Sequence, residues 1–194
     1  MNVILGLGNP GPEYQDTRHN VGFRTLDILA GRYEGRWKKK ILRPLSFFAS
    51  TSEHVVLCKP LTWMNRSGAI LPFIIDTWGV LPNNLLVVVD NMDLPPGRIR
   101  FKAGGGSAGH NGIKSLMQVW PEGDFPRLYV GVGRPEASVS VVDHVLSGFS
   151  AQQQAVVGTA MEAAAQVCTV WNEKGVSAAI EAVHEYSQRT ATDN

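Results

Sequence analysis

Two side chains in this sequence are of the types that general base catalysis needs, a histidine and an aspartate. His19 stands in Thr17-Arg18-His19-Asn20, just before a predicted helix, and Asp90 ends the apolar run 85–89, which reads as a buried strand. Strands of one sheet deliver their ends to a common edge, so we expect the two side chains to meet there. A lone histidine is more often structural, but an aspartate that orients and charges an imidazole completes a base dyad.

The sequence favours water as the nucleophile over a side chain. No serine lies in a nucleophile elbow and no cysteine is placed to pair with His19. Cys58 and Cys168 are isolated and show no metal-ligand spacing. We interpret them as buried free thiols in a reducing compartment, which predicts a cytoplasmic location.

Three polar segments could surround the dyad. The loop after the first predicted strand carries Asn9, and the segment 59–68 carries Asn65, whose carboxamide can both donate and accept. Ser67 in that segment is interpreted as a helix cap. The third segment, 102–112, has five glycines in nine residues and precedes a helix. Such a stretch is often a plain surface loop, but exposed N–H groups before a helix also form an anion site.

The glycines of Gly6-Leu-Gly-Asn-Pro-Gly also match the dinucleotide-binding pattern G-x-G-x-x-G. In that fold the glycines open a helix whose N-terminus holds a pyrophosphate. Here Pro10 and Pro12 flank the third glycine, and the helical pattern begins only near Asn20. Asp27 has the right spacing for a ribose contact but falls inside the predicted helix. We therefore expect no dinucleotide cofactor.

The elements that must position these residues form an α/β pattern. Strands are predicted at 2–7, 45–51, 54–59, 85–89, 97–102 and 127–132, and helices at 20–33, 67–78, 112–120, from 150 to Gly175, and 177–187. The hairpin 45–59 predicts a twisted mixed sheet, surrounded by helices. The 194 residues suit one domain over 1–194, with 188–194 expected to be a frayed tail.

Charge is unevenly distributed along a chain whose net charge is +1. Residues 1–150 hold 16 Lys+Arg and 12 Asp+Glu, whereas residues 151–194 hold 2 and 5. Basic residues cluster at 32–43 and 98–114. A basic run is usually a solvated face, but two such clusters on a balanced chain leave room for a phosphate contact. No run of 18 apolar residues and no basic leader is visible, so neither a membrane span nor a secretory signal is expected.

Five motifs together resemble those of the bacterial-type peptidyl-tRNA hydrolases, in the order of that family. They are Gly6-Leu-Gly-Asn-Pro-Gly with Tyr14 and 17–23, then Lys59-Pro-Leu-Thr-Trp-Met-Asn-Arg-Ser-Gly, then Asp90-Asn-Met-Asp-Leu-Pro-Pro-Gly, then 104–112, and Arg127-Leu-Tyr-Val-Gly-Val-Gly-Arg-Pro. The resemblance implies a monomer that cleaves the ester between a peptide and the 3′ ribose of tRNA, with no metal or other cofactor. Its substrate would be peptidyl-tRNA dropped during translation.

The resemblance also implies roles for individual residues. His19 is the general base and Asp90 its partner. Asparagines 9, 65 and 111 hold the peptide and the attacking water, with Asn9 counted among the catalytic residues. The remaining implied site residues are Tyr14, Asn20, Met64 and His110 as the lining of the site, and Lys102 as a contact to tRNA phosphate. Apart from Asp90, these motifs are expected to offer no carboxylate to a free α-ammonium.

Two positions depart from the family pattern. Ala108 stands where the family usually has glycine, which is expected to restrict the loop slightly. Tyr129 stands where the family often has an arginine of its phosphate clamp. Arg127 and Arg134 are the candidate replacements. For the tRNA acceptor stem, the basic run from Arg32 to Arg43 is one candidate contact and Lys102 with Arg98 is another.

A non-catalytic function is the main alternative. Relatives of this fold act as RNA-binding scaffolds in organelle splicing, where additional partner-binding surface or targeting segments are expected. This chain begins at its first predicted strand and reads as compact, which favours the enzyme. Turnover of N-acylated tRNA discriminates between the two functions.

Overall fold

A seven-stranded mixed sheet forms the centre of the fold in the computed structural model, which describes residues 1–40, 42–50 and 52–192. The strands are β1 (Asn2–Gly6), β2 (Lys38–Lys39), β3 (Leu45–Ser50), β4 (Val55–Pro60), β5 (Leu85–Asn91), β6 (Ile99–Lys102) and β7 (Arg127–Gly131). Their order is β2-β3-β4-β1-β5-β7-β6. The four central strands β4, β1, β5 and β7 run parallel to one another, β3 and β6 run antiparallel to them, and β2 pairs antiparallel with β3. The predicted mixed sheet is confirmed.

Helices cover both faces of this sheet, so the central strands are buried along almost their whole length and are mainly apolar. On one face, α1 (Val21–Arg32) and α5 (Ala151–Thr192) pack on a core that includes Ile4, Val88 and Leu128. We call this the α5 face. On the other, α2 (Leu71–Trp78) and α3 (Asn111–Met117) pack on a core that includes Leu5, Val87 and Val89. We call this the α3 face. A further helix, α4 (Val141–Leu146), lies beside the 3-10 turn Arg18–Asn20.

The helix ends follow the sequence signals. The Ser150 hydroxyl accepts from Gln153 N at 3.3 Å while the Gln153 carboxamide accepts from Ser150 N at 3.2 Å, a capping box at the start of α5. Gly175, with φ 80°, interrupts α5 where a helix end was predicted. Gly79, with φ 62°, ends α2 as expected. The expected frayed tail is helical as far as Thr192, and residues 193 and 194 lie outside the described residues.

Two local predictions differ from the structure. Residues 64–70 form 3-10 turns and α2 begins only at Leu71, because the Ser67 hydroxyl donates to Met64 O at 2.8 Å and does not cap a helix. Helix α4 was not predicted. Its six residues are too few for a clear stripe, and Val141 and Val142 are exposed. The strand predicted over 45–51 is observed as far as Ser50, and Thr51 lies outside the described residues.

Because β1, β4, β5 and β7 are parallel, their carboxyl ends meet at one edge of the sheet, which we call the carboxyl edge. The loops that leave this edge carry the predicted site residues. Within the described residues, no helix is long and apolar enough to cross a membrane.

Candidate active site

The structure brings His19 and Asp90 together at the carboxyl edge. His19 lies in the 3-10 turn that follows the loop after β1, and Asp90 lies near the end of β5. His19 Nδ1 is 2.8 Å from Asp90 Oδ1, and only 2 % of Asp90 is exposed. An ionised carboxylate only accepts, so Nδ1 carries the proton and Nε2 of His19 is left with an acceptor lone pair.

A second imidazole, that of His110, reaches the same carboxylate oxygen. His110 Nε2 is 3.0 Å from Asp90 Oδ1. The other ring nitrogen, Nδ1, accepts from the backbone N–H groups of Gly112 at 3.1 Å and Ile113 at 3.4 Å, which caps α3. Since Nδ1 must be the acceptor, the proton is on Nε2 and is donated to Asp90. Both ring nitrogens of His110 are therefore occupied, whereas the described residues give Nε2 of His19 no hydrogen-bond partner.

His19 and Asp90 shift each other's pKa toward the charged form. Burial alone would raise the pKa of the Asp90 carboxyl, but the facing imidazoles of His19 and His110 hold it well below its usual range. Burial lowers the pKa of His19, and the charge and hydrogen bond of Asp90 outweigh that effect, so its pKa is raised. Asp90 thus stays ionised and stabilises a proton on the imidazole.

The same three side chains have the composition of a metal-ligand set, with ligand atoms all within 4.8 Å of one another. A metal at His110 Nε2 would move the ring proton to Nδ1, where it would face the N–H groups of Gly112 and Ile113. That proton would break the cap of α3. The arrangement therefore favours a hydrogen-bonded cluster over a metal centre.

Asn9 presents its amide NH₂ group to the cleft. Its Oδ1 accepts from Met64 N at 2.8 Å, which fixes the orientation of the carboxamide. Asn20 lies behind it: the Asn20 side chain accepts from Asn9 N at 2.8 Å and donates to Asn9 O at 2.9 Å. Asn20 was expected to line the site, and the structure instead buries it as the support of the Asn9 backbone.

These groups lie in a cleft of about 720 Å³ that contains most of the predicted lining. Met64, Asn65, His110 and Asn111 all border it, and the amides of Asn65 and Asn111 are exposed at its rim. Tyr14 is not among its lining residues. It makes an edge-on contact with Trp63, at 5.6 Å between ring centroids, and Trp63 lines the cleft.

Part of the cleft wall was not predicted from the sequence. One side is apolar and comes largely from α4, with Val141, Val142, Val145 and Leu146. Asp93 is a second carboxylate on the wall, contrary to the expectation that Asp90 would be alone. Arg134 engages it, with Nη2 at 2.6 Å from Asp93 Oδ1. The apolar residues within 141–146 were the only signal in the sequence for this wall.

The four arginines and lysines expected to contact tRNA have different surroundings. Arg127 is fully buried and donates to the carbonyls of Gly105, Gly106 and Gly123 at 2.5–2.9 Å, so it anchors the glycine-rich loop and is not available to a phosphate. Arg98 donates to Thr190 Oγ1 at 2.7 Å, on the α5 face. Arg134 is exposed beside the cleft, and Lys102 is exposed at the end of β6.

The two departures from the family pattern also have visible consequences. Ala108 lies in the glycine-rich loop with φ 47°, a left-handed conformation that costs an L-residue about 1–2 kcal/mol. The ring of Tyr129 is buried in β7 and borders the cleft. A tyrosine there lines the cleft without adding a positive charge.

Comparison with known proteins gives a consistent result. A family model described as peptidyl-tRNA hydrolase matches residues 3–192. The peptidyl-tRNA hydrolase of Geobacillus thermodenitrificans is 43% identical over 169 residues, which cover 87% of this chain and 91% of the relative. That of Mycolicibacterium gilvum is 38% identical and covers 95% and 97%. The crystal structure of the Acinetobacter baumannii peptidyl-tRNA hydrolase matches with a TM-score of 0.86 at 34% identity, over 94% of both chains.

Proposed function

Because this chain belongs to the peptidyl-tRNA hydrolase family, we propose that it hydrolyses the ester between a peptide, or an N-blocked amino acid, and the 3′ ribose of tRNA. The observation that carries the proposal is the hydrogen bond between His19 Nδ1 and Asp90 Oδ1 inside a cleft lined by amide groups. Free tRNA and a free peptide are the products. Peptidyl-tRNA released prematurely during translation is the physiological substrate.

Water is the proposed nucleophile. His19 Nε2 takes one proton from a water as its oxygen attacks the ester carbonyl, and Asp90 stabilises the imidazolium that forms. The tetrahedral oxyanion accepts hydrogen bonds from the Nδ2 group of Asn9, which the Met64 contact orients toward the cleft. When the intermediate collapses, the C–O bond to the ribose breaks. The 3′ oxygen then takes the proton from His19, which restores the neutral base.

His110 acts on this reaction through Asp90. Its Nε2–H occupies one side of Asp90 Oδ1 while its Nδ1 is held by the first N–H groups of α3. The carboxylate is therefore fixed from two directions, and the ring of His19 can take only the orientation that leaves Nε2 toward the cleft. His110 is therefore a positioning residue that orients the ring of His19 through Asp90.

The rest of the cleft suits a peptide whose amine is blocked. The side chains of Asn65 and Asn111 offer amide donors and acceptors at the rim, and α4 offers an apolar wall to peptide side chains. The two carboxylates of the wall are both engaged, Asp90 by the imidazoles and Asp93 by Arg134. A protonated α-amine would lose water there without gaining an unpaired opposite charge.

We further propose a cytoplasmic monomer. All the groups named in the mechanism come from one chain, so the proposed chemistry needs no second copy. The buried cysteines are free, which suits a reducing compartment.

Substrate selectivity tests the proposed function. One tRNA charged with one amino acid is compared with and without an N-acetyl group, at catalytic amounts of protein. We expect kcat/KM to be higher for the acetylated form. The difference can reach ~10⁴-fold, because a substrate without the amide would leave hydrogen-bonding groups of the site unpaired. Equal kcat/KM for the two would indicate a general esterase, and tight binding of tRNA with no turnover would indicate an RNA-binding module.

A further inference from the structure

Helix α4 forms the apolar wall of the cleft but belongs to neither hydrophobic core. Within the part of the chain that the structure describes, no residue of α4 is a member of the core on the α5 face or of the core on the α3 face. Val141 and Val142 are 52 % and 62 % exposed. A helix of six residues is not stable by itself, and this one buries little apolar surface. Its position therefore depends on polar contacts.

A buried arginine next to the proposed base makes several of these contacts. Arg18 precedes His19 in the same 3-10 turn and is 8 % exposed. Its Nη1 donates to Ser147 Oγ at 2.7 Å and to the carbonyl of Gly148. Its Nη2 donates to Gln153 Oε1 at 3.0 Å. One guanidinium thus joins the turn of His19 to the segment that connects α4 with α5.

The contact continues from this guanidinium into the last turn of α4. Ser147 Oγ, which accepts from Arg18, donates to His144 O at 2.8 Å. The backbone is joined as well, because Arg18 N donates to Ser147 O at 3.0 Å. The imidazole of His144 makes a separate contact, with Nε2 at 2.8 Å from Gly133 O in the loop after β7. The position of α4 is therefore set partly from the turn of His19 and partly from that loop.

Arg18 is buried without an opposite charge. Among the described residues it forms no ion pair, and its Nε has no hydrogen-bond partner. Burial of a charge among neutral acceptors costs free energy, so stability alone does not explain an arginine at this position. The acceptors on Ser147, Gly148 and Gln153 belong to residues that are at least partly exposed, so water can replace the guanidinium there. A variant that lacks it is therefore expected to fold.

We propose that Arg18 is a positioning residue for the hydrolysis, which holds the apolar wall of α4 at a fixed place relative to His19. Arg18 is not among the residues that line the cleft, so it acts through the wall. The amino acid that is esterified to tRNA carries its side chain beside the carbonyl group that water attacks. A wall held next to His19 contacts that side chain while the base reaches the water. This inference rests on the proposed function, since it takes the ester to lie at His19.

The test compares two esters that differ only in the amino acid side chain. kcat and KM are measured for the N-acetyl-leucyl and N-acetyl-glycyl esters of one tRNA. The proteins are wild type, Arg18→Met, Ser147→Ala, Val142→Ser, and Lys174→Met as the control that removes an exposed cation from α5. Wild type should prefer the leucyl ester by about tenfold in kcat/KM, because an apolar site discriminates at least this well between side chains of different size.

Arg18→Met should lose most of this leucyl preference, because the wall is no longer held beside the base. The loss should appear in KM, since the wall contacts the side chain in the ground state as well as in the transition state. The acidic limb of the kcat profile should stay as in wild type, because Asp90 is unchanged. Ser147→Ala should lose less of the preference, since it keeps two of the three acceptors. Val142→Ser should also lower the preference, and Lys174→Met should match wild type.

An equal loss on both esters in Arg18→Met, as general destabilisation would give, would overturn the positioning role. A leucyl preference that is absent in wild type, or unchanged in Val142→Ser, would overturn it as well and leave the proposed function intact. If Arg18→Met does not fold, Ser147→Ala decides: a reduced preference supports the inference, and the preference of wild type contradicts it. Failure of wild type to hydrolyse either ester would instead overturn the proposed function.

Discussion

At the scale of single residues, the central feature is one oxygen of Asp90 that accepts hydrogen bonds from two imidazoles. The two histidines are not equivalent, because the backbone of α3 occupies Nδ1 of His110, whereas Nε2 of His19 is directed to the cleft. Replacing Asp90 or His110 should therefore change the pH dependence of the reaction. The two replacements should shift it in opposite directions.

Asp90→Asn should move the acidic limb of the pH–rate profile to lower pH. The charge of Asp90 raises the pKa of His19, and a general base works only when it is neutral. Without that charge the pKa of His19 falls and the neutral base persists at lower pH, although the rate plateau also falls as the ring loses its orientation. A profile of kcat against pH checks this, and an unchanged limb with an unchanged plateau would remove Asp90 from the dyad.

His110→Ala should move the same limb to higher pH. Loss of the Nε2–H donor leaves more of the negative charge of Asp90 to His19, so the imidazolium is stabilised further. The lost cap of α3 should also lower the free energy of unfolding by about 0.5–2 kcal/mol. An acidic limb that moves to lower pH, as in Asp90→Asn, would contradict the positioning role of His110. Urea denaturation measures the loss of stability from the missing α3 cap separately.

The sequence predicted the meeting of His19 and Asp90 because the ends of parallel strands share an edge. It did not predict the link to His110, which depends on the path of the glycine-rich loop. Arg127 was misjudged because a basic side chain suggests the surface. It lies in β7, a strand covered on both faces, where every residue is buried. Three backbone carbonyls replace the solvent that this guanidinium loses.

At the scale of elements, the site depends on the close contact between α3 and the 3-10 turns over Met64–Ile70. The contact is possible because Gly68 has no side chain: a Cβ there would overlap the carbonyl group of Ser115. Asn65 and Asn111 lie on the two elements that this contact joins. The distance between the two rim amides is therefore set by a glycine outside the cleft.

Gly68→Ala should destabilise the fold and lower activity together, because α3 must move away from the 3-10 turns. Overpacking of this kind costs about 1–3 kcal/mol. Gly158→Ala is the matched control, since a Cβ at this helical position in α5 meets no atom within 4 Å. Alanine there should be neutral or stabilising by up to about 1 kcal/mol. Thermal unfolding with turnover checks both, and equal behaviour of the two variants would show that the close contact is unimportant.

The elements with long apolar patterns were the ones that the sequence predicted well. Strands β1, β4 and β5, and helices α1 and α5, are confirmed within a few residues. Helix α4 was missed because its apolar residues face the cleft and solvent, so they do not form the buried stripe that periodicity detects. A helix that lines a cleft, as α4 does, is therefore harder to predict from apolar periodicity than a helix that packs on the core.

At the scale of the whole molecule, the sheet separates two surfaces of different charge. Four acidic residues, Glu162, Glu173, Glu181 and Glu185, lie with α5 on one face, and four cations, Lys40, Arg43, Arg66 and Lys114, lie on the other. The net charge of +1 gives no indication of this uneven distribution of charge between the two faces. The uneven charge was visible in the sequence, but its assignment to faces required the fold.

The most direct test of the account is the rate at which His19→Ala releases N-acetyl-amino acid from N-acetyl-aminoacyl-tRNA. His184→Ala is the control, because His184 is exposed on α5. A positioned general base contributes ~10²–10⁴-fold, so we expect a loss of that order in kcat for His19→Ala, with native circular dichroism, and a normal rate for His184→Ala. A correctly folded His19→Ala protein that turns over at the rate of wild type would contradict the mechanism.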